Sequence, residues 1–553
     1  MKQAVIGHEH EHARLAQQRW EELKAARARH EADWEAIARL IRPQRGGFSM
    51  DNPHERTAEK PLSSAPIMAQ VNFASGLYGA LTNPADRWFG FTTEDEDLNA
   101  WQPMAEWLDV ATNRVFNSFS PSVSPFYSQT TMLFSDVAAF GNSAQYDELV
   151  PDRRKILDVT LSLAEVVWDI DGFGLVCEVV RRFMLTPRQA IDMFGADALP
   201  AKVIEAAEAR STTQHAYFHH VGKNAMFAPR ALGPRGKRWF SRYACEVGNT
   251  LIRERGYDDM PFFAPRWEVE SGAVYGFGPG FNALASARTH HAMDAATLRA
   301  AQFAADPTKL APDRHTWPLN GQIAPGRVVY GAVNQRGDAL LRNLEAPRDI
   351  GLTLQEKQAK IEEIRDAFHY TLMNLAGRTG MTATEVMTIN EERMRLWAPH
   401  MGRIQEEFLA PKIERRFALL WKAGQLPPPP EGAEGIALQV QYTSAASMAQ
   451  RSAQGAATMR VIEDLAPLIA VKPRIADRID DDALVETITQ ARGAPARLLR
   501  SREDADAIAQ QRAEAEQAQQ QMQMMQQGAG AARDMAGAMG QMAAMEGAEG
   551  GGA

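Results

Sequence analysis

The side chains of this sequence that could do chemistry are few and scattered. His8, His10 and His12 alternate with glutamate, and on a helix His8 and His12 would share a face, as a metal pair must. Near a chain end the expected state is a frayed, solvated one. His290-His291 could reach a metal or phosphates; exposure, or a helix–helix hydrogen bond, is the simpler expectation. Asp169-x-Asp171-Gly172 is too short for an EF-hand loop and reads as a turn. Asp480-Asp481-Asp482 could attract a cation, yet it stands where a cap belongs before the helix expected over Ala483–Ala491. Cys177 falls on an apolar strand and is expected to be a small core residue.

Nucleotide chemistry finds no cradle. Gly222-Lys223 and Gly236-Lys237 lack both the following Ser/Thr and the upstream Gly of a phosphate loop. Tyr275–Gly280 is glycine-rich, but Pro279 and the missing Gly-x-x-Gly close argue against phosphate binding. There is no Gly-x-Ser-x-Gly elbow and no His-Glu-x-x-His helix. No nucleophile stands beside a base, so no catalytic residue, metal ligand or cofactor is expected.

The totals agree. The 553 residues are 45% apolar and 23% charged, enough for three or four domains with ordinary cores. The net charge of −9 argues against a dedicated DNA-gripping surface, while a mildly acidic wall would let a polyanion slide past. Two cysteines, Cys177 and Cys245, exclude a disulfide scaffold and fit a reducing compartment. No apolar run reaches membrane-spanning length and the N-terminus has no leader pattern, so no membrane partner is expected.

Elements must position whatever function exists. Residues 8–42 predict a helix, with Trp20, Leu23, Trp34, Ile37 and Ile41 on one seam and Arg27 and His30 filling it. Ala65–Thr82 predicts a second, with Ile67, Val71, Ala74, Tyr78 and Leu81 as its stripe, stopped by Asn83-Pro84. Helices follow at Trp101–Phe119 and Pro125–Phe140, stopped by Gly141-Asn142. The period then becomes two: strands are predicted at Ala144–Leu149, Lys155–Trp168 and Leu175–Leu185, and residues 214–270 are β-like. Short helices are predicted from Thr186-Pro187 through Gly195 and over Ala201–Arg210. A long helix fills 281–305, roughly 37 Å of it with no Gly or Pro. Its alanines at 283, 285, 287, 292, 295, 296, 300 and 301 leave a slim rod that could pack closely against copies of itself. Residues 306–326 read as an extended loop and Arg327–Leu344 as a hairpin turning at Asn334–Asp338. Thr353-x-x-Glu356 and Thr382-x-x-Glu385 fit capping boxes for helices at 354–376 and 383–397, with another at 401–423. Helix returns over 445–500 and 503–527, and 528–553 is low in complexity and expected to be disordered.

One ordered set of residues carries a resemblance. APIMAQVNFASGLYGALTNPADRWFGF, with Asn83, Pro84, Trp88 and Phe89, is followed by Phe140-Gly141-Asn142, Asp171-Gly172-Phe173-Gly174 and Thr186-Pro187-Arg188-Gln189-Ala190. Tyr275-Gly276 then precedes the long helix, and Met381-Thr382-Ala383-Thr384-Glu385-Val386 closes the series. The set resembles portal (head-to-tail connector) proteins of short-tailed, podovirus-type bacteriophages. That resemblance implies an α+β, mainly helical fold with wing, stem, clip and crown, in a ring of about twelve subunits at one capsid vertex. It implies an N-terminal wing region at 1–180, a first stem segment at 181–210, a mixed β clip at 211–278 and a second stem helix at 279–305. A channel loop and wing core at 306–445 and a helical crown at 446–527 would follow. It implies double-stranded DNA moving through the channel without sequence specificity, pumped by a separate terminase large subunit. The further partners would be major capsid protein, scaffolding protein and a tail adaptor, in the virion after assembly in the host cytoplasm.

On the long helix, Ala285, Ala292, Ala295 and Ala296 are then the expected ring-packing residues, and Arg288, His291 and Arg299 the expected channel-facing ones. Two other classes fit less well: a helical scaffolding or other structural virion protein, which the strand-rich stretches oppose, and a DNA-processing enzyme, for which no site is visible.

Overall fold

The computed structural model describes residues 2–48, 61–150, 155–305, 350–369 and 399–442 apart from 434, with shorter pieces at 309–310, 334–336, 338, 342–343, 458–467, 484–485, 488–489, 505, 507–522, 524 and 535–539. Helix and sheet are mixed, in two compact units.

The larger unit is Met1–Phe89 with Asn113–Leu426. Helix α1 runs Lys2–Leu40, so the expected frayed end is helical, and His10 Nδ1 lies 2.9 Å from the Asn249 carbonyl. Its seam is the expected one: Trp20, Leu23, Trp34 and Ile37 are buried. Arg27 is fully buried among them and donates to the carbonyls of Leu163 (2.7 Å) and Val166 (2.5 Å) and to Glu31. A buried guanidinium is tolerable only with such partners.

Helix α2, Ala65–Leu81, buries Pro66, Ala69, Gln70, Phe73, Ala74, Leu77 and Leu81. The expected stripe is therefore out of phase; Val71 is 41% exposed. Both faces of this helix are apolar, so the period fixes a helix without fixing which side turns inward. Asn83 ends it as expected: its carboxamide accepts from Ala85 N (3.1 Å) and donates to Asp86 (2.8 Å).

Strand β1 (Phe89–Thr92), α3 (Glu96–Ala100), α4 (Gln102–Ser118) and α5 (Phe126–Phe140) follow. Then come β2 (Ala144–Val150), β3 (Lys155–Leu161), β4 (Val166–Ile170) and β5 (Val176–Leu185). The single strand expected over 155–168 is two, because a tight turn closes between Ser162 and Glu165. Helix α6 (Pro187–Phe194) starts at a capping box made by Thr186 and Gln189, and α7 spans Ala201–Glu208. Next are β6 (His215–Lys223), β7 (Trp239–Cys245), β8 (Thr250–Tyr257), β9 (Phe262–Phe263) and α8 (Pro279–Ala305).

Strands β4-β5-β6-β7-β8 form one antiparallel sheet, so strands on both sides of residue 211 share it. One face packs on α1 through Trp20, Val180, Phe218 and Ala244; the other packs on α6 and α7 through Phe194, Val203, Tyr217 and Tyr243. A second sheet has the order β3-β2-β9.

Beyond α8, β10 (Lys309–Leu310) pairs with β11 (Arg342–Asn343). The expected turn is present, Asn334 N donating to Asp338 O at 2.9 Å, while the rest of 306–344 lies outside the described residues. Helix α9 spans Ile350–Ala367, so Thr353 sits inside its first turn and is not its cap. The start Thr382–Glu385 lies outside the described residues. Helical residues 399–409 lead into α10, Ala410–Lys422, as expected.

The smaller unit is Gly90–Thr112 with Pro427–Ala553. Within it β1 pairs with β12 (Gln439–Tyr442), and Trp107 Nε1 donates to the Pro427 carbonyl at 2.9 Å. Residues 458–467 and 507–522 are helical. So are 535–539, inside the tail expected to be disordered; Ala and Met there are strong helix formers. The Asp480–Asp482 cluster lies outside the described residues. Among described residues no helix is long and apolar enough to cross a membrane.

Candidate functional site

The Gly-rich turn before α8 is a packing device. Asn142 donates to the carbonyls of Gly276 (2.7 Å) and Phe140 (2.9 Å) and accepts from Gly276 N (2.8 Å). A Cβ on Gly280 would stand 2.1 Å from the Ala139 carbonyl oxygen, and one on Gly278 would stand 2.6 Å from Gly141 Cα. Gly141 itself closes α5 at φ 72°, a conformation glycine adopts freely. Tyr275 is buried between Trp168 and Trp34, with ring centroids 4.5 and 5.5 Å away. The scattered motif residues Gly141, Tyr275 and Gly276 thus meet in one clamp that fixes the root of α8. Trp88 and Phe89 pack elsewhere, both against Phe119, with Trp88 also stacked on Phe126.

Helix α8 has 27 residues, about 40 Å of rod. Its inner side buries Ala283, Leu284, Ala287, His290 and Asp294. His290 Nδ1 lies 3.3 Å from Asp294, whose other oxygen pairs with Lys357 of α9; Ser286 donates to Glu363 at 2.6 Å. Burial pushes the His290 imidazole down in pKa, with Asp294 pulling the other way. The two adjacent histidines therefore differ: His290 links two helices and His291 is half-buried on the flank. Among described residues no three His, Cys, Asp or Glu gather to hold a metal.

The outer side carries Phe281, Ala285, Arg288, Ala292, Ala296, Arg299 and Phe303, all exposed. These positions repeat at helical spacing, so they form one stripe. Arg288 and Arg299 therefore share the face of Ala285, Ala292 and Ala296, with Ala295 half-buried beside them. Long cations over an alanine floor can attract an anionic surface or fold back along a neighbouring rod. They cannot move a proton at neutral pH.

The sequence gave no sign of the most charged part of the interior. Asp147 on β2 and Asp158 on β3 are directly paired in register, two like charges on one face. Lys412, Arg415 and Arg416 of α10 lie against them, all five at 6% exposure or less. Arg415 Nε is 2.5 Å from Asp147, Lys412 is 3.3 Å from Asp147 and paired with Asp158, and Arg416 bonds Asp158 and Ser124. Burial pushes the Asp147 carboxyl up in pKa, but Lys412, Arg415 and Arg416 pull harder and bring it to about 2. The available signal was an aspartate at an inward strand position and the spacing of Lys412-x-x-Arg415-Arg416; neither names its partner. Arg266 is likewise clamped by Glu407 at 2.6 Å. These networks lock the unit and leave no reactive group open.

Comparison with known proteins matches this scaffold. A family model described as bacteriophage head to tail connecting protein matches residues 13–499. A portal protein of Salmonella phage epsilon15 is 26% identical over 508 residues, 89% of this chain and 90% of that protein. A probable portal protein of Bordetella phage BPP-1 is 26% identical over 528 residues, 93% of this chain and 94% of that one. A chain from the virion of a native gene transfer agent particle is 13% identical at TM-score 0.33, covering 84% of this chain and 94% of that chain, too loose a superposition to speak to fold. With the family match spanning most of its length, the chain belongs to the bacteriophage head to tail connecting proteins.

Proposed function

We propose that this chain is one subunit of a ring-shaped portal at a single capsid vertex. Double-stranded DNA is packaged through the ring and later ejected through it, and the tail joins there. The observation that carries the ring is α8: a rod anchored at its root and along one side, with a stripe of alanine and arginine that its own chain leaves open. Head-to-tail packing of identical rods closes a ring without exposing a growing edge. Twelve copies is the number this reading takes.

In this reading α8 is the second stem helix, 181–210 the first stem segment and 211–278 the clip. Residues 1–180 and 306–445 form the wing and channel loop, and 446–527 the crown. The ring meets the terminase large subunit, the major capsid and scaffolding proteins and a tail adaptor. It is a passive part of the virion, assembled in the host cytoplasm, and motion of the DNA is driven by the separate motor. Negative-stain imaging and native mass of the purified chain test it. A ring with a central hole, with a mass that is a multiple of 61.1 kDa, is expected. A stable monomer at high concentration, or nucleotide hydrolysis by the chain alone, would overturn it.

A further inference from the structure

Helix α2 has 17 residues and contains no Asp, Glu, Lys, Arg or His. A helix apolar on every side is normally buried on every side. Here the chain covers only one. Opposite the buried stripe of α2, Met68 is 53% and Val71 41% exposed, Ser75 and Gly79 are exposed, and Leu62 just ahead of the helix is 47% exposed. These helix positions fall within a narrow arc, so they make one face.

Gly79 adds an independent observation. It sits inside the helix with no left-handed φ, and a Cβ built on it would meet nothing within 4 Å. Glycine weakens a helix interior, and nothing in its own chain requires one at this position. Close approach of another backbone does. Ser75 and Gly79, four residues apart, leave a shallow groove beside the Met68 and Val71 side chains into which a second helix can settle.

We propose that this face of α2 is a contact between copies of this chain. The occupant follows from charge. Each chain carries −9, so copies repel except where they meet through uncharged surface, and α2 is a long uncharged one. The apolar core of an obligate interface has this composition. The inference rests on the ring reading for the reason that copies meet at all.

Gly79→Trp tests it, read by native mass spectrometry and circular dichroism. The expected result is unchanged helix content and melting temperature with full-size rings reduced at least about tenfold. Met68→Asp, a change at a half-exposed site, serves if the tryptophan disturbs folding. Val71→Cys with a bismaleimide crosslinker gives the direct readout: linked pairs are expected above the background of the unsubstituted chain. Undiminished rings in both variants with no added crosslink would overturn the inference and leave the ring intact. If the unsubstituted chain forms no ring, the ring reading falls by itself. The Val71→Cys crosslink at high concentration then decides α2: linked pairs sustain it and monomers alone overturn it.

Discussion

The ion cluster under α10 and the outer stripe of α8 hold the same kinds of side chain to opposite ends. At α10, Lys412, Arg415 and Arg416 are dry, and each has a carboxylate within reach. On α8, Arg288 and Arg299 stand in solvent over alanine. The first region is finished by its own chain; the second is finished only by something outside it. A cation that is buried and paired holds a subunit together, whereas an exposed one on a slim rod is free to meet a neighbour or a polyanion.

The comparison breaks first at the buried end. Asp158→Ala leaves Lys412 and Arg416 without their main partner, and the subunit is expected to lose about 3–5 kcal/mol, read as a fall in denaturation midpoint. A loss under about 1 kcal/mol would mean that the cluster is hydrated and the contrast with α8 is false. Next is Gly280→Ala at the root of α8, where the new methyl meets the Ala139 carbonyl; a loss of about 1–3 kcal/mol is expected, again by denaturation.

Acid sharpens the comparison. His219 is fully buried, stacked on Tyr243 and bonded to Ser241, and burial holds its pKa well below the ordinary histidine value. The unfolded chain therefore takes up that proton first, and stability falls as pH drops below about 6.5. Asp147 titrates later. Its folded value of about 2 lies below the unfolded value of 3.8, so its contribution is present above pH 3.8 and fades as pH falls toward 2, roughly 2 kcal/mol in all. His219→Gln is expected to flatten the upper window alone in a pH series of melting curves.

The smallest effects on the subunit belong to α8. Ala292→Trp is expected to shift subunit stability by no more than about 0.5 kcal/mol while abolishing rings in native mass measurements. Arg288→Glu with Arg299→Glu should leave melting unchanged and alter DNA retention in filled heads. Unchanged packaging would remove both from the channel.

Much of the frame was legible along the chain. The α1 seam, including its buried Arg27, follows from apolar spacing, and the stop signals Asn83-Pro84 and Gly141 fall where α2 and α5 end. Gly141, Tyr275 and Gly276 stood out as motif residues, yet 134 residues separate Asn142 from Gly276, and no local pattern says that they touch. The phase of α2 was misread because its two faces are alike. Arg288 and Arg299 were assigned apart from the alanines, although helical spacing puts them on one stripe.

What the sequence determined alone were properties set within a few turns of chain: periods, caps, the −9 charge, the absence of a nucleotide cradle and the motif order that marks the family. The tertiary structure alone decided which face of α2 turns inward, which cations answer Asp147 and Asp158, and how closely α8 is seated on α5. Those depend on groups more than a hundred residues apart arriving at van der Waals distance, and hydrophobic periodicity carries no record of such pairings.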